Sequence, residues 1–432
     1  MNALIYTLGV VVFVIGVVAS IALHELGHMY PAKKFGIKVT QFFVGFGNTV
    51  WSTKRGETEY GFKSIPLGGY VKLVGMLPPA KGADPHEVRK SNTGMFTQLI
   101  SDARDAEYEH VEDKDLERLF YRKPWWQKLI VMAGGPMVNI VIAVVLFTIV
   151  FMGFGALTPT TTVQEVSDCA ITDAEAGRTC TPDDPETPAS KAGLQPGDRI
   201  TAFNGTEITS WDTLTRKIRA NGSQQATIEF VRDGRTESAT VATSVLARVD
   251  LDDVTKTVDV GFLGVSPAQE MDRKGPGYVA DVMGDYVVGT AKAIWHLPAR
   301  MVDVTKAAFG AERQADGPIS VVGASRVAGE SFTVDDPTWS ERAQRVLVLL
   351  AGLNLFLALF NFIPLLPLDG GHIAGALWEA IRRGIAKLRG QPDPGHVDVA
   401  KMLPVAYAVG ALLMLMSVIL IYADIVNPVR LS

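Results

Sequence analysis

Four long stretches of the chain carry no charged side chain: Leu4 to Leu23, Leu129 to Leu157, Val346 to Leu368 and Met402 to Ala423. None shows the polar stripe that a helix on a soluble protein presents at a period of 3.6 residues. Each reaches or exceeds the roughly 20 residues that cross a bilayer core at about 1.5 Å per residue. The pattern predicts four transmembrane helices. The first is not expected to be a signal peptide. It lacks a basic leader and a small-x-small cleavage site, and it runs straight into a charged motif.

Between the spans the pattern changes period. Val39 to Val44 and Val50-Trp51 alternate loosely around Gly45-Phe46-Gly47. Thr58 to Phe62 and Tyr70 to Val74 follow, with a turn expected at Pro66-Leu67-Gly68-Gly69. These are expected as paired strands at the membrane face. The stretch from about Thr162 to Leu246 is β-rich and soluble in pattern, and Val287 to Phe309 alternates apolar and basic residues like an amphipathic surface helix. The insertion from Lys81 to Arg122 is densely charged, with a surface helix expected in part of it and no catalysis.

Lys and Arg near span ends orient the chain. Lys33, Lys34 and Lys38 follow the first span, and Arg122, Lys123 and Lys128 precede or open the second. Arg382, Arg383, Lys387 and Arg389 follow the third, and Lys401 precedes the fourth. These ends are expected to be cytoplasmic. Both termini and the long 158–285 region then lie outside.

Composition agrees once it is divided. The 432 residues are 47% hydrophobic and 20% charged, against about 25% charge in an ordinary soluble protein. The missing charge is missing from the spans. A net charge of −5 gives no bulk attraction to nucleic acid, and none is expected as a partner. Cys169 and Cys180 are the only two cysteines. They lie in a short insertion on the expected oxidising side, where a disulfide is expected and free thiols are the alternative.

The chemistry lies at the inner end of the first span. His24-Glu25-Leu26-Gly27-His28 is an H-E-x-x-H motif. On a helix, positions i and i+4 share a face, so both imidazoles can reach one tetrahedral zinc. Glu25 stands beside them as a base for zinc-bound water. Ionisable groups in a membrane span are costly and are functional by default. A third ligand is needed, and Asp369 is the candidate. His24 lies about 20 residues into span one and Asp369 about 23 into span three, and odd-numbered spans cross in the same direction, so both reach one depth. Pro364 and Pro367 interrupt helical bonding just before it. His372 is a rival, ranked lower because a turn through Gly370 and Gly371 is expected to carry it past the cavity.

These residues together resemble the site-2 protease family of intramembrane zinc metalloproteases, in its bacterial RseP/Rip branch with a PDZ insertion. The resemblance rests on His24 to His28, on Ala133-Gly134-Gly135-Pro136 with Asn139 in span two, and on Asn361 to Gly371 in span three. It implies Zn2+ held by His24, His28 and Asp369, with Glu25 activating water. It implies that Asn361 orients substrate or the developing oxyanion. It also implies a membrane-associated β-sheet whose edge pairs with unwound substrate, with Gly45 and Gly47 allowing close approach; an ordinary amphipathic hairpin is the other reading. Gly134 and Gly135 are expected to let span two pack closely on span one, near the zinc, with substrate contact as the other role; Gly134, Gly135, Pro136 and Asn139 are the candidate substrate-binding residues of span two. Ala192 to Ile200, Phe203-Asn204-Gly205, Trp211 to Ile218 and Thr227 to Arg232 resemble a single PDZ domain, acting as a size filter or as a binder of chain ends.

The expected architecture is a polytopic α-helical membrane protein with four transmembrane helices, a membrane-associated β-hairpin or sheet, and an inserted extracytoplasmic PDZ (α+β) domain. Its parts are 1–32 (span one), 33–80 (β region), 81–128 (cytoplasmic loop), 129–157 (span two) and 158–250 (PDZ domain). They continue with 251–345 (linker and surface helices), 346–371 (span three), 372–401 (cytoplasmic loop) and 402–424 (span four). The expected partners are the lipid bilayer and transmembrane protein substrates. The resemblance implies anti-sigma factors pretrimmed by another protease, and remnant signal peptides. A PDZ scaffold without zinc and a zinc lipid hydrolase are the rival functions.

Overall fold

A computed structural model describes residues 2–79, 95–108, 111–171, 179–181, 183–251, 256–311, 313–314, 317–333 and 338–429. The charged insertion at 80–94 and residues 172–178 between the cysteines lie outside them.

In chain order the helices and strands begin with α1 (Asn2–Lys34), β1 (Val39–Arg55), β2 (Thr58–Leu73), α2 (Met95–Tyr108) and α3 (Trp125–Thr148). Next come β3 (Ala156–Val166), α4 (Pro188–Lys191), β4 (Arg199–Phe203), β5 (Thr206–Glu207), α5 (Trp211–Asn221), β6 (Gln225–Arg232) and β7 (Arg235–Ala242). β8 (Ser244–Val249), β9 (Thr257–Phe262) and β10 (Val265–Asp272) follow. The chain ends with α6 (Pro276–Trp295), α7 (Leu297–Ala308), α8 (Val321–Glu330), α9 (Trp339–Asn361), α10 (Asp369–Leu388) and α11 (Leu403–Val426). They form two compact units, one of residues 1–153 with 275–432 and one of 154–274.

The first unit has four helical segments long and apolar enough to cross a membrane: Ala3–Lys34, Trp125–Phe154, Trp339–Asn361 and Val399–Val426. Their boundaries differ from the expected ones. The second ends at Phe154, because the following residues extend into β3. The third stops at Asn361, well short of residue 371. Pro364 and Pro367 have no N–H to continue the helical ladder. Its start lies outside the apolar stretch because Thr338 caps it: its hydroxyl accepts from the Glu341 N–H, and the Glu341 carboxylate accepts from the Thr338 N–H.

Strands β1 and β2 do not form a simple hairpin. Gln41 to Val44 pair with Lys72 to Gly69 and also with Glu59 to Phe62, while Trp51 to Arg55 pair with Phe62 to Thr58. The two long strands therefore act as four short segments, ordered 49–55, 58–63, 39–44 and 65–73. Pro66 to Gly69 lies within β2, but the chain folds back there as expected: Phe62 and Gly69 both pair with Val44, and Gly68 has a φ of +104°. β1 folds back in the same way at Gly45 and Gly47, whose φ values of +95° and +86° only glycine adopts easily.

The second unit carries a sheet ordered β10-β3-β4-β6-β7, with β5 on β4 and a separate β8-β9 pair. Ile200, Phe203, Leu214, Ile218, Ile228 and Phe230 form its core beside Leu263. The expected boundary at 250 is too early. β9 and β10 lie in the region expected to be linker, and β10 pairs along β3. The sequence of β10 has no apolar alternation to reveal it. Cys169 and Cys180 form a disulfide.

Candidate metal centre

Two glycines bring α1 and α3 together. A Cβ on either Gly27 or Gly134 would overlap the backbone of the other. This close approach puts one turn of α1, bearing His24 and His28, against α3. A Cβ at Gly135 would in turn overlap His28 Nε2 and stand 2.8 Å from His24 Nε2. Gly134 thus permits the close helix approach and Gly135 leaves room for the imidazoles, while Pro136 is buried beside them in α3.

His24 and His28 turn their Nε2 atoms toward each other at 3.2 Å. Asp369, the first residue of α10, brings its Oδ2 to 3.3 Å from each. Three donor atoms from two distant parts of the chain thus form a nearly equilateral triangle. A tetrahedral zinc with bonds of about 2.0–2.2 Å needs neighbouring ligand atoms about 3.3–3.6 Å apart. The donor set fits a zinc ion.

The hydrogen bonding fits too. His28 Nδ1 stands 2.8 Å from the Val131 carbonyl oxygen and donates to it, which leaves the Nε2 lone pair for a metal. Asp369 Oδ2 and His24 Nδ1 are buried with no hydrogen-bond partner among the described residues. A buried carboxylate oxygen without a donor is costly unless a cation balances it.

Beside the triangle opens a cavity of about 430 Å³. Glu25, His24, His28, Asp369, Asn139, Asn361 and His372 line it, with Gly68 to Val71 of β2 along one wall. A Cβ at Gly69 would come 2.9 Å from Glu25 Cγ, so the glycine lets the strand stand close to this carboxylate. Asn361 Nδ2 donates to the Leu357 carbonyl at 3.0 Å, leaving its second N–H and its oxygen uncommitted by that bond. Asn139 is 1% exposed, and its Oδ1 has no partner among the described residues.

Two expectations change. His372 is not carried past the cavity. No turn separates it from Asp369: α10 starts at the aspartate, and three residues on, His372 faces the same space. It is outside the group of three candidate ligands. Gly45 and Gly47 do not line the cavity. A Cβ on Gly45 would overlap the Ile65 carbonyl and one on Gly47 the Ser64 hydroxyl, at the point where β1 folds back. The wall that meets Glu25 is Gly68 to Val71, the end of the expected turn and the start of the strand after it. A buried pair, Ser20 and Asn354, carries no motif that would single it out in the sequence. Asn354 Nδ2 donates to Ser20 Oγ at 2.9 Å, one helical turn from His24.

The model of a family described as Peptidase family M50 matches residues 12–403. Zinc metalloprotease Rip1 of Mycobacterium tuberculosis (strain ATCC 25618 / H37Rv) is 33% identical over 454 residues, covering 99% of this chain and 100% of the relative. Zinc metalloprotease Rip1 of Mycolicibacterium smegmatis is 33% identical over 444 residues, with the same coverage. Metalloprotease MmpA of Caulobacter vibrioides is 27% identical over 383 residues, 86% of each chain.

Proposed function

The chain belongs to peptidase family M50, and from that membership we propose that it is an intramembrane zinc endopeptidase, hydrolysing peptide bonds in transmembrane segments of membrane proteins. One observation carries the reading: three metal-ligand atoms spaced for zinc beside Glu25, in a cavity among apolar spans.

In this reading His24, His28 and Asp369 hold the ion. Zinc, when bound, polarises a peptide carbonyl and lowers the pKa of its water to about 7. Glu25 accepts the proton of the attacking water and delivers it to the nitrogen of the breaking C–N bond, so that the products are a carboxylate and an amine. A helical substrate hides its carbonyls and must unwind before attack. The edge at Gly68 to Val71 pairs with the unwound backbone, which gives affinity with little demand on sequence. Asn361 and Asn139 orient that backbone. Gly45 and Gly47 support the bend that carries the edge.

The reading extends to placement and substrates. The active site opens near the cytoplasmic side, and both termini and the 154–274 unit lie outside. That unit is of PDZ type and acts as a size filter, so substrates arrive pretrimmed; membrane-anchored anti-sigma factors and remnant signal peptides fit this description. The test is cleavage of a transmembrane peptide by the purified full chain. Cleavage that stops with a chelator and returns with zinc is expected. A zinc-loaded protein that hydrolyses a lipid ester and no peptide would replace the reading.

A further inference from the structure

Helix α10 begins at the candidate metal centre, with Asp369 as its first residue. Span three ends at Asn361 and span four begins at Val399, so the chain between them starts and ends on one face of the membrane. α10 fills that interval with 20 residues, about 30 Å of helix. It does not cross: Asp369, Glu379, Arg382, Arg383 and Lys387 lie along it. It therefore stays on that side of the membrane.

Its two sides are unlike. Leu377, Trp378, Ile381, Ile385 and Leu388 are all exposed, Leu388 at 89%. At 100° per residue they fall within one arc of about 100°. On the opposite side Glu379 is 2% exposed and accepts from Lys128 Nζ at 2.7 Å. Lys128 lies in the first turn of α3, so this buried pair fixes the rotation of α10 and turns the apolar arc outward. Arg382 and Arg389 flank the arc, where a phosphate layer would meet them.

We propose that α10 is an interfacial helix, with its apolar arc seated in the acyl boundary of the bilayer and its basic flank among lipid phosphates. Lipid is the occupant because the arc lies on a segment whose two ends both join membrane spans at one face, and because the flanking charge is complementary to headgroups. Asp369 is the first residue of this helix. The lipid seat therefore helps hold the third candidate ligand against His24 and His28. This consequence rests on the proposed function; the seat itself does not.

The test uses the full chain in phospholipid vesicles. Cys169 and Cys180 are bonded to each other, so a thiol-directed spin label attaches only to an introduced cysteine. A label at Ile381→Cys is expected to be reached by oxygen far better than by a water-soluble nickel chelate. A label at Lys387→Cys is expected to show the reverse. Equal chelate access at both positions would overturn the lipid seat, and spin coupling between copies at Ile381→Cys would assign the arc to a second chain instead. For the consequence, the double variant Ile381→Asp, Ile385→Asp is expected to slow peptide cleavage in vesicles by at least about tenfold, since charge on a lipid-facing helix is disfavoured. Zinc per chain, measured in the same preparations, should fall together with cleavage because Asp369 is a proposed ligand, and Ile381→Leu should cleave and bind zinc like the wild type. Wild-type cleavage by the double variant would overturn the link to Asp369. A wild-type protein that cleaves nothing would sink the proposed function, while label access would still decide the seat.

Discussion

Gly135 and His28 meet so closely that no side chain fits between them: a Cβ at Gly135 would overlap His28 Nε2. The obstacle is rigid, because the His28 ring is held from its other side by the Val131 carbonyl at 2.8 Å. Gly135→Ala must therefore push an imidazole out of the triangle or part α1 from α3. Misplacing a reacting group by about 1 Å costs about 100-fold in rate. We expect Gly135→Ala to lose at least that much peptide cleavage and to bind substoichiometric zinc. Metal analysis of the purified variant checks this, and a fully loaded, active Gly135→Ala would refute it.

The Ser20–Asn354 hydrogen bond couples span one to span three within the apolar layer. Interhelical hydrogen bonds in membranes average about 0.6 kcal/mol and reach about 1.7 kcal/mol. Asn354 is fully buried, which favours the upper part of that range. Thermal unfolding of Ser20→Ala, Asn354→Ala and the double variant in detergent should give a coupling of about 1 kcal/mol. Additive effects would show that the contact contributes nothing of its own.

The disulfide joins residues separated by 11 positions. Closing so short a loop is worth about 2–3 kcal/mol by chain entropy. Replacing Cys169 and Cys180 together by Ser should lower the unfolding transition of the 154–274 unit within the full chain. Cleavage of a short transmembrane peptide should remain, because both cysteines lie outside the catalytic unit. Reduction and alkylation of the native protein should raise its intact mass by two labels; labelling without reduction would contradict the bond.

Helix period and membrane depth are legible in the residues alone. His24 and His28 share a face because they are four apart. Asp369 comes to them because it follows, eight residues on, the end of the other span expected to cross in the same sense. Tertiary approach is not legible in this way. Gly134 and Gly135 can be suspected of packing, but only the structure shows which of them clears an imidazole. Pro66 to Gly69 has the composition of a turn and is where β2 folds back, but its place beside Glu25 shows only in the pairing of Gly69 with Val44 and the contact of Gly69 with Glu25. His372 is misplaced by its sequence context because Gly370-Gly371 suggests a turn, yet a Cβ on Gly370 would strike the Ile363 backbone. The glycines permit close packing at a helix start. β10 is hidden because a strand without apolar alternation is specified by its partner, β3.

The central claim is that Glu25 works as a base beside a metal held by His24, His28 and Asp369. Glu25→Gln keeps the shape of the side chain and removes its basicity. The most direct measurement is cleavage of a transmembrane peptide by wild-type and Glu25→Gln protein, each analysed for zinc in the same preparation. The account predicts one zinc per chain in both, with cleavage by Glu25→Gln reduced by at least about 100-fold, within the range of general-base catalysis. Equal cleavage by the two zinc-loaded proteins would contradict it.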